Sequence, residues 1–278
     1  MAVAFAITFV IFLVELVGGW WVGSLAVMAD AVHMAVDLLA LGMGLFAARM
    51  ASRPADDKRT YGYHRVEVLA ALGNGVGLWI TVGVLLHEAY TRFQTPSDVK
   101  VPEMILIALI GLLANIFSAA LLFRQSKHNL NVRGVLMHII SDALGSVAAV
   151  LAGVVMLLTD WSYADPLATV AICMIIAYTS FDLVRESTHI LLEGAPKHVN
   201  VEEVRRGLLE IEGVEQVHDL HLWTLSSGND AMSGHLVVAK EKSTQDILKA
   251  GARFLEGRFK ISHSTLQIEK GAAAHHAD

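Results

Sequence analysis

Two stretches of this chain, ADAVHMAVD at 29–37 and HIISDALG at 138–145, share the pattern H-x-x-x-D. The pairs are His33 with Asp37 and His138 with Asp142. Residues four apart lie on one face of a helix. Each helix would therefore present one imidazole and one carboxylate to the same side. Two such helices facing each other would close a shell of two His and two Asp, a number and mixture suited to tetrahedral Zn²⁺. Cd²⁺ and Co²⁺ accept the same donors, whereas Mg²⁺, Ca²⁺ and Mn²⁺ prefer a mainly oxygen shell. The first pair sits within SLAVMADAVHMAVDLLALGMGLFAA, a segment otherwise fit for lipid. A charge at mid-bilayer costs roughly 2.5–3.5 kcal/mol on insertion scales. A bound divalent ion, or protons in its absence, would offset that cost.

Other polar residues in apolar surroundings carry weaker signals. Asp30 stands three residues before His33 and is open to ligation, hydrogen bonding or a proton role; Glu15, and His87 with Glu88, are open to the same readings. Asn115 reads as interhelical glue. The glycines of GNGVG at 73–77 and of GLLAN at 111–115 suit either close packing or sliding of helices.

A second constellation lies near the C-terminus. His218 and His221 are three apart in one alternating segment, His235 is in the next, and His263 and Glu269 bracket the last. A single His on a strand is usually a surface residue. Four with a carboxylate in one small domain read as a second metal site. His275 and His276 close the chain in GAAAHHAD and read as incidental.

The elements that must position these residues follow from hydropathy. Of 278 residues, 54% are hydrophobic and 17% charged, and the apolar ones gather before residue 192. Six runs are long enough to cross a bilayer, near 3–23, 25–50, 66–91, 102–123, 133–159 and 166–190. The first lacks the basic start and cleavage site of a signal peptide and passes directly into the second, so it reads as a membrane helix with no soluble arm before it. Lys and Arg concentrate in the second-to-third connection (Arg49, Arg53, Lys58, Arg59, Arg65) and the fourth-to-fifth (Arg124, Lys127, Arg133). By the positive-inside rule both termini are expected in the cytoplasm. Cys173 is the single cysteine, so no disulfide framework exists. The net charge of −6 divides evenly at Glu193, and no basic patch points to nucleic acid.

Beyond residue 196 the pattern becomes that of a soluble domain. VNVEEVRRGLLEIEG has helical periodicity and a Gly stop. VEQVHDLHLWTLSSG and DAMSGHLVVAK read as a hairpin, STQDILKAGARFLEGRF as a helix capped by Ser243 or Thr244, and ISHSTLQIEK as a strand. The expected fold class is thus a six-helix α-helical membrane protein followed by a small α+β domain of order αββαβ, ferredoxin-like or metallochaperone-like. The expected division is 1–192 for the membrane domain, 193–270 for a metal-binding dimerisation domain and 271–278 for a flexible tail. A domain this small has a limited core and would gain from dimerising or binding metal.

The segments ADAVHMAVD, KRTYGYHRVEVLAAL, HIISDALGS, DPLATVAI, LLEGAP and VHDLHLWTLSSG together resemble the cation diffusion facilitator family, in its zinc-transporting branch with paired H-x-x-x-D motifs. The likeness covers essentially the whole chain. It implies a homodimeric, proton-coupled exporter of divalent metal with six membrane helices and a cytoplasmic metal-binding domain, here expected in a bacterial inner membrane. Carried over, the transport ligands are His33, Asp37, His138 and Asp142. The cytoplasmic zinc ligands are His218, His235 and Glu269, with His221 and His263 nearby. Some relatives bind metal in the second-to-third loop through an Asp and two His. Here Asp56 remains, but Arg59 and Tyr63 stand where the histidines would be, so that site is not expected. His64 of YHRVE matches a boundary ligand of other relatives, with His263 as its partner.

Three rival functions fit these residues less well. An intramembrane zinc hydrolase needs an open coordination position and a base, but no H-E-x-x-H occurs and a four-ligand shell is full. A passive channel needs weak, multiple sites rather than one tight site. A metal sensor would use the C-terminal histidines but leave the two intramembrane pairs unexplained.

Overall fold

The computed structural model describes residues 2–126, 130–226 and 228–270. His275 and His276 fall outside that set, and so does the side chain of His138. Six long helices come first: α1 Ala2–Val22, α2 Leu25–Ala51, α3 Arg65–Gln94, α4 Val101–Ser126, α5 Leu130–Thr159 and α6 Ala164–Leu191. By length and composition, five of the described helices can cross a membrane, and Ala6–Val22 is a shorter apolar helix. The chain then continues through α7 Val201–Leu209, β1 Val214–Ser226, β2 Asn229–Val238, α8 Thr244–Phe254 and β3 His263–Lys270. The αββαβ order expected from the sequence is the order found.

By compactness the chain divides into two units. One holds residues 1–45 and 70–184; the other holds 46–69 and 185–278. The first is the helical bundle. Its core is built from small and branched residues, among them Ala26, Ala29, Ala108, Ala149 and Ile176. Membrane helices associate through such small residues because lipid is as apolar as Leu. A Cβ at Gly153 of α5 would come within 2.5 Å of Ile105 of α4, and one at Gly75 of α3 within 2.5 Å of Val184 of α6. Glycine at these points is what lets the helices approach.

One buried acid organises an end of this bundle. Asp165 at the start of α6 accepts the Ser24 hydroxyl at 2.6 Å and the amides of Leu25 and Ala26 at 2.7 and 3.1 Å. Arg92 of α3 donates to the Gly23 carbonyl at 2.6 Å and lies 3.4 Å from Asp165. The first amides of a helix have no partner within it, so Asp165 caps α2 from another helix. It thereby fixes where the α2 pair His33 and Asp37 begins its climb.

In the C-terminal domain, β1 pairs antiparallel with β2, and β2 pairs parallel with β3. Asn200 caps α7 by accepting the Glu202 amide at 2.9 Å, and Ser243 caps α8. The helix expected to run through residue 259 instead ends in a π-helical turn, Leu255–Phe259, closed by Lys260 at φ 62°. Val204, Leu208, Leu236, Ile247 and Leu255 form the core between helices and sheet. Strand side chains alternate between faces, so His235 and Val237 point away from the face that carries Leu236 and Val238.

Candidate metal centres

In the bundle, the nitrogen and oxygen donors of His33, Asp37 and Asp142 lie within 4.8 Å of one another. His33 Nε2 is 3.4 Å from Asp37 Oδ2 and 3.7 Å from Asp142 Oδ1. Helical spacing puts His33 and Asp37 on one face of α2, and α5 brings Asp142 to that face. Asp142 is buried, and His33 nearly so. One imidazole and two carboxylates within this distance are a donor set for a divalent ion, whose charge the two carboxylates balance. His138 lies one turn before Asp142 on α5, with its side chain outside the described set.

The other intramembrane residues fall in two places. Asp30, Asn115 and Ser146 form a chain of hydrogen bonds: the Asn115 amide donates to Ser146 at 3.5 Å, and the Ser146 hydroxyl donates to Asp30 at 3.0 Å. Glu15 is 1% exposed. His87 and Glu88, by contrast, are exposed near the end of α3, where Glu88 pairs with Arg92 at 3.6 Å.

The second cluster is built by strand register. His218 of β1 stands opposite His235 of β2, and β3 places Glu269 beside Val237. His218 Nε2 lies 3.2 Å from Glu269 Oε2, and His235 Nδ1 lies 2.9 Å from Glu269 Oε1. The donors of all three lie within 4.8 Å. Burial raises the Glu269 pKa, but hydrogen bonds from His218 and Gln267 outweigh it and hold the carboxyl below its ordinary range.

His221 arrives on the same face by an irregularity. The register slips between His218 and His221, so the step of three on β1 matches a step of two on β2, from His235 to Ser233. This is a β-bulge, and Asp219 within it has φ 49°. Asp219 faces two imidazoles, His221 Nε2 at 2.8 Å and His235 Nε2 at 3.5 Å. The hydrogen bond from His221 holds the Asp219 carboxyl below its ordinary range. Sequence reasoning passed over Asp219, although a carboxylate between two histidines in VHDLH is a visible signal for an outer partner of a ligating imidazole.

His263 stacks edge-on against Tyr61, with ring centroids 5.1 Å apart. It lines a cleft of about 490 Å³ together with His64 and Asp230, but no group of three donors among the described residues includes His64 or His263. Asp230 was also missed: it is 3.1 Å from His198 and accepts the Thr224 hydroxyl at 2.8 Å. In the second-to-third connection, Asp56 accepts the Tyr63 hydroxyl at 2.6 Å and the Arg59 amide at 2.7 Å. These bonds pull its carboxyl below the ordinary range.

The helical bundle, its buried His–carboxylate cluster and the appended α+β domain together define a class, the multi-pass membrane transporters of metal cations. The sequence matches the family described as "Cation efflux transmembrane domain" over residues 1–192 and that described as "Cation efflux protein, cytoplasmic domain" over residues 196–271. The "Cadmium, cobalt and zinc/H(+)-K(+) antiporter" of Bacillus subtilis is 36% identical over 95% of this chain and 86% of its own length. The "Zinc transporter ZitB" of Yersinia pestis is 38% identical over 97% of this chain and 86% of its own. A solved structure, the metal-bound C-terminal domain of the CzcD transporter from Cupriavidus metallidurans, is 33% identical over 26% of this chain and 99% of that one, with a TM-score of 0.25. The chain belongs to the cation efflux, or cation diffusion facilitator, family of metal cation transporters, and is not an enzyme.

Proposed function

We propose that the protein exports Zn²⁺ from the cytoplasm in exchange for H⁺, and that Cd²⁺ or Co²⁺ can take the place of Zn²⁺. The transport shell in this reading is His33, Asp37, His138 and Asp142. The observation that carries it is the convergence of His33, Asp37 and Asp142, from two different helices, inside a membrane bundle. The names of the relatives from Bacillus and Yersinia support zinc transport, the former also supports exchange, and the family descriptions support efflux. Metal requires neutral imidazole and ionised carboxylate, so metal and protons compete for the same atoms. Imidazoles titrate near neutral pH, which suits such competition. An inward-open site loads metal and loses protons. Rigid-body rocking of helices then exposes it outside, where protons displace the metal.

The same reading divides the chain into a transport domain, 1–192, a cytoplasmic metal-binding and dimerising domain, 193–270, and a tail, 271–278. The cytoplasmic ligands are His218, His235 and Glu269, with His221 and His263 beside them. The working unit is a homodimer in a bacterial inner membrane, with both termini in the cytoplasm. The test is simultaneous zinc and pH fluorescence in sealed vesicles containing the purified protein, with voltage clamped by ionophore. Zinc entry should be accompanied by proton exit. Zinc flux that leaves vesicle pH unchanged would reject exchange with protons and favour a channel.

A further inference from the structure

Glu15 of α1 and Asp30 of α2 are buried in the bundle at 1% and 3% exposure, and neither belongs to the donor group of His33, Asp37 and Asp142. The space they occupy is made for them by glycine. A Cβ at Gly111 of α4 would overlap Glu15 Oε1 and lie 3.5 Å from the Ser146 hydroxyl. A Cβ at Gly145 of α5 would lie 3.1 Å from Asp30 Oδ1. Asn115, one turn along from Gly111 on the same face of α4, donates to Ser146, which donates to Asp30. The second oxygen of Glu15, Oε2, is buried with no hydrogen-bond partner among the described residues. The GLLAN segment therefore has a use beyond packing: its glycine seats one carboxylate and its asparagine holds the hydroxyl that binds the other.

Charge argues for an occupant. A carboxylate in so apolar a place stays ionised only beside a cation. No Lys or Arg is paired with Glu15 or Asp30 in any described ion pair. Among the described side chains, those that hydrogen-bond around them are a hydroxyl and an amide, Ser146 and Asn115, which suit a hard monovalent cation or a proton rather than Zn²⁺. The ionisable groups facing the pair are those of the metal centre: Asp142 of α5, which acts on both carboxylates, and His33 and Asp37 of α2. His138 lies one turn from Asp142 on α5, and α4 brings Asn115 and Gly111, neither of them ionisable. Ser146 lies 3.0 Å from Asp30 Oδ2 and 3.3 Å from the backbone carbonyl of Asp142, one turn before it on α5, so it sits beside the residue that supplies a carboxylate to the metal centre.

We infer that Glu15 and Asp30, with Ser146 and Asn115, form a second cation site that carries the monovalent coupling ion, a proton or an alkali-metal ion. The inference rests on the exchange reading above. On it, the counter-ion leaves these carboxylates as zinc enters His33, Asp37 and Asp142 and returns as zinc departs, and Ser146 lies between the two.

The test uses the full chain in sealed vesicles with a zinc dye inside. Two quantities are read: zinc accumulation driven by a pH gradient or, separately, by a K⁺ gradient, and zinc-for-zinc exchange with no gradient. In Glu15→Gln and Asp30→Asn, driven accumulation should fall at least tenfold, while zinc-for-zinc exchange stays within threefold of wild type. Gly111→Ala keeps every ionisable group but displaces Glu15, and should behave like Glu15→Gln, which guards against a variant that fails to fold. Dependence on the pH gradient alone assigns the proton, and dependence on the K⁺ gradient alone assigns the alkali ion. Driven accumulation at wild-type level in all three variants overturns the site. So does parallel loss of zinc-for-zinc exchange, which would place these residues in the metal centre. Wild-type protein that responds to neither gradient refutes the exchange reading itself, a result distinct from either.

Discussion

The two histidine–carboxylate clusters use the same chemistry on opposite backbones. In the bundle, helical periodicity places His33 and Asp37 on one face, and a second helix supplies Asp142 at 3.7 Å from His33. In the C-terminal domain, cross-strand register places His218 opposite His235, and a third strand delivers Glu269. In the bundle cluster His33 and Asp142 are buried and only Asp37 is partly exposed, whereas all three members of the sheet cluster are partly exposed. A charge in the first must be matched at every moment. A charge in the second is screened by solvent. Loss of one donor should therefore be far more damaging in the bundle than on the sheet.

The largest effect is expected at the bundle carboxylates. Asp37→Ala or Asp142→Ala opens the shell and leaves a divalent ion unbalanced, and should reduce zinc flux in vesicles at least a hundredfold while gel filtration still shows the folded oligomer. Near-normal flux in either variant would exclude that carboxylate from the shell.

The two clusters were unequally legible. A step of four between His and Asp announces a shared helical face, and long apolar runs announce the helices, so the bundle pattern needs only local periodicity. The sheet cluster needs tertiary information. His218 and His221 are three apart, which puts them on opposite faces of a regular strand. The bulge with Asp219 at φ 49° brings them to one face, and nothing in the local pattern marks it. The cap that Asp165 forms on α2, across 139 to 141 positions, is hidden for the same reason. So is the seat of Glu15 against Gly111: each residue is visible alone, but their meeting depends on how α1 packs on α4.

The next effect concerns the frame around the bundle cluster. Asp165→Ala removes the acceptor for a hydroxyl and two amides and leaves Arg92 without its buried carboxylate. Breaking a buried pair by removing one partner costs about 3–5 kcal/mol. The variant should melt at clearly lower temperature in detergent, and its zinc flux should fall because α2 loses its anchor. Asp165→Asn, which still accepts hydrogen bonds, should recover part of the melting temperature. An unchanged melting temperature for the alanine variant would remove the cap from the account of the fold.

Metal choice gives a smaller and more selective effect. His33→Asp replaces a borderline nitrogen with a hard oxygen and should move the Zn²⁺/Mn²⁺ ratio in competitive uptake toward Mn²⁺ by about tenfold. The matching change on the sheet, His235→Asp, should leave the transported ratio within twofold, because that cluster lies outside the membrane path. Equal shifts from both variants would mean that the sheet cluster selects what the bundle carries.

The smallest effect separates the clusters by pH. Glu269 and Asp219 are both held below the ordinary carboxyl range in the fold, by hydrogen bonds from His218 and His221 respectively. A group whose folded pKa is depressed adds stability above its unfolded value and loses it as pH falls through the folded value. The unfolded values are about 4.3 for Glu and 3.9 for Asp. The contribution of both groups should thus be constant from neutral pH down to about 5 and be lost as pH falls past the unfolded values and through the lower folded ones. In metal-free protein, thermal unfolding followed across this range should show an acid limb that is shallower in Glu269→Gln and Asp219→Asn than in wild type. With zinc bound, Glu269→Gln should also lose affinity, since an amide replaces an anionic donor, whereas Asp219→Asn should lose less, because Asp219 touches the imidazoles rather than the metal position. If the Asp219 variant loses as much zinc affinity as the Glu269 variant, Asp219 belongs among the ligands, and the bulge that presents it is part of the metal site.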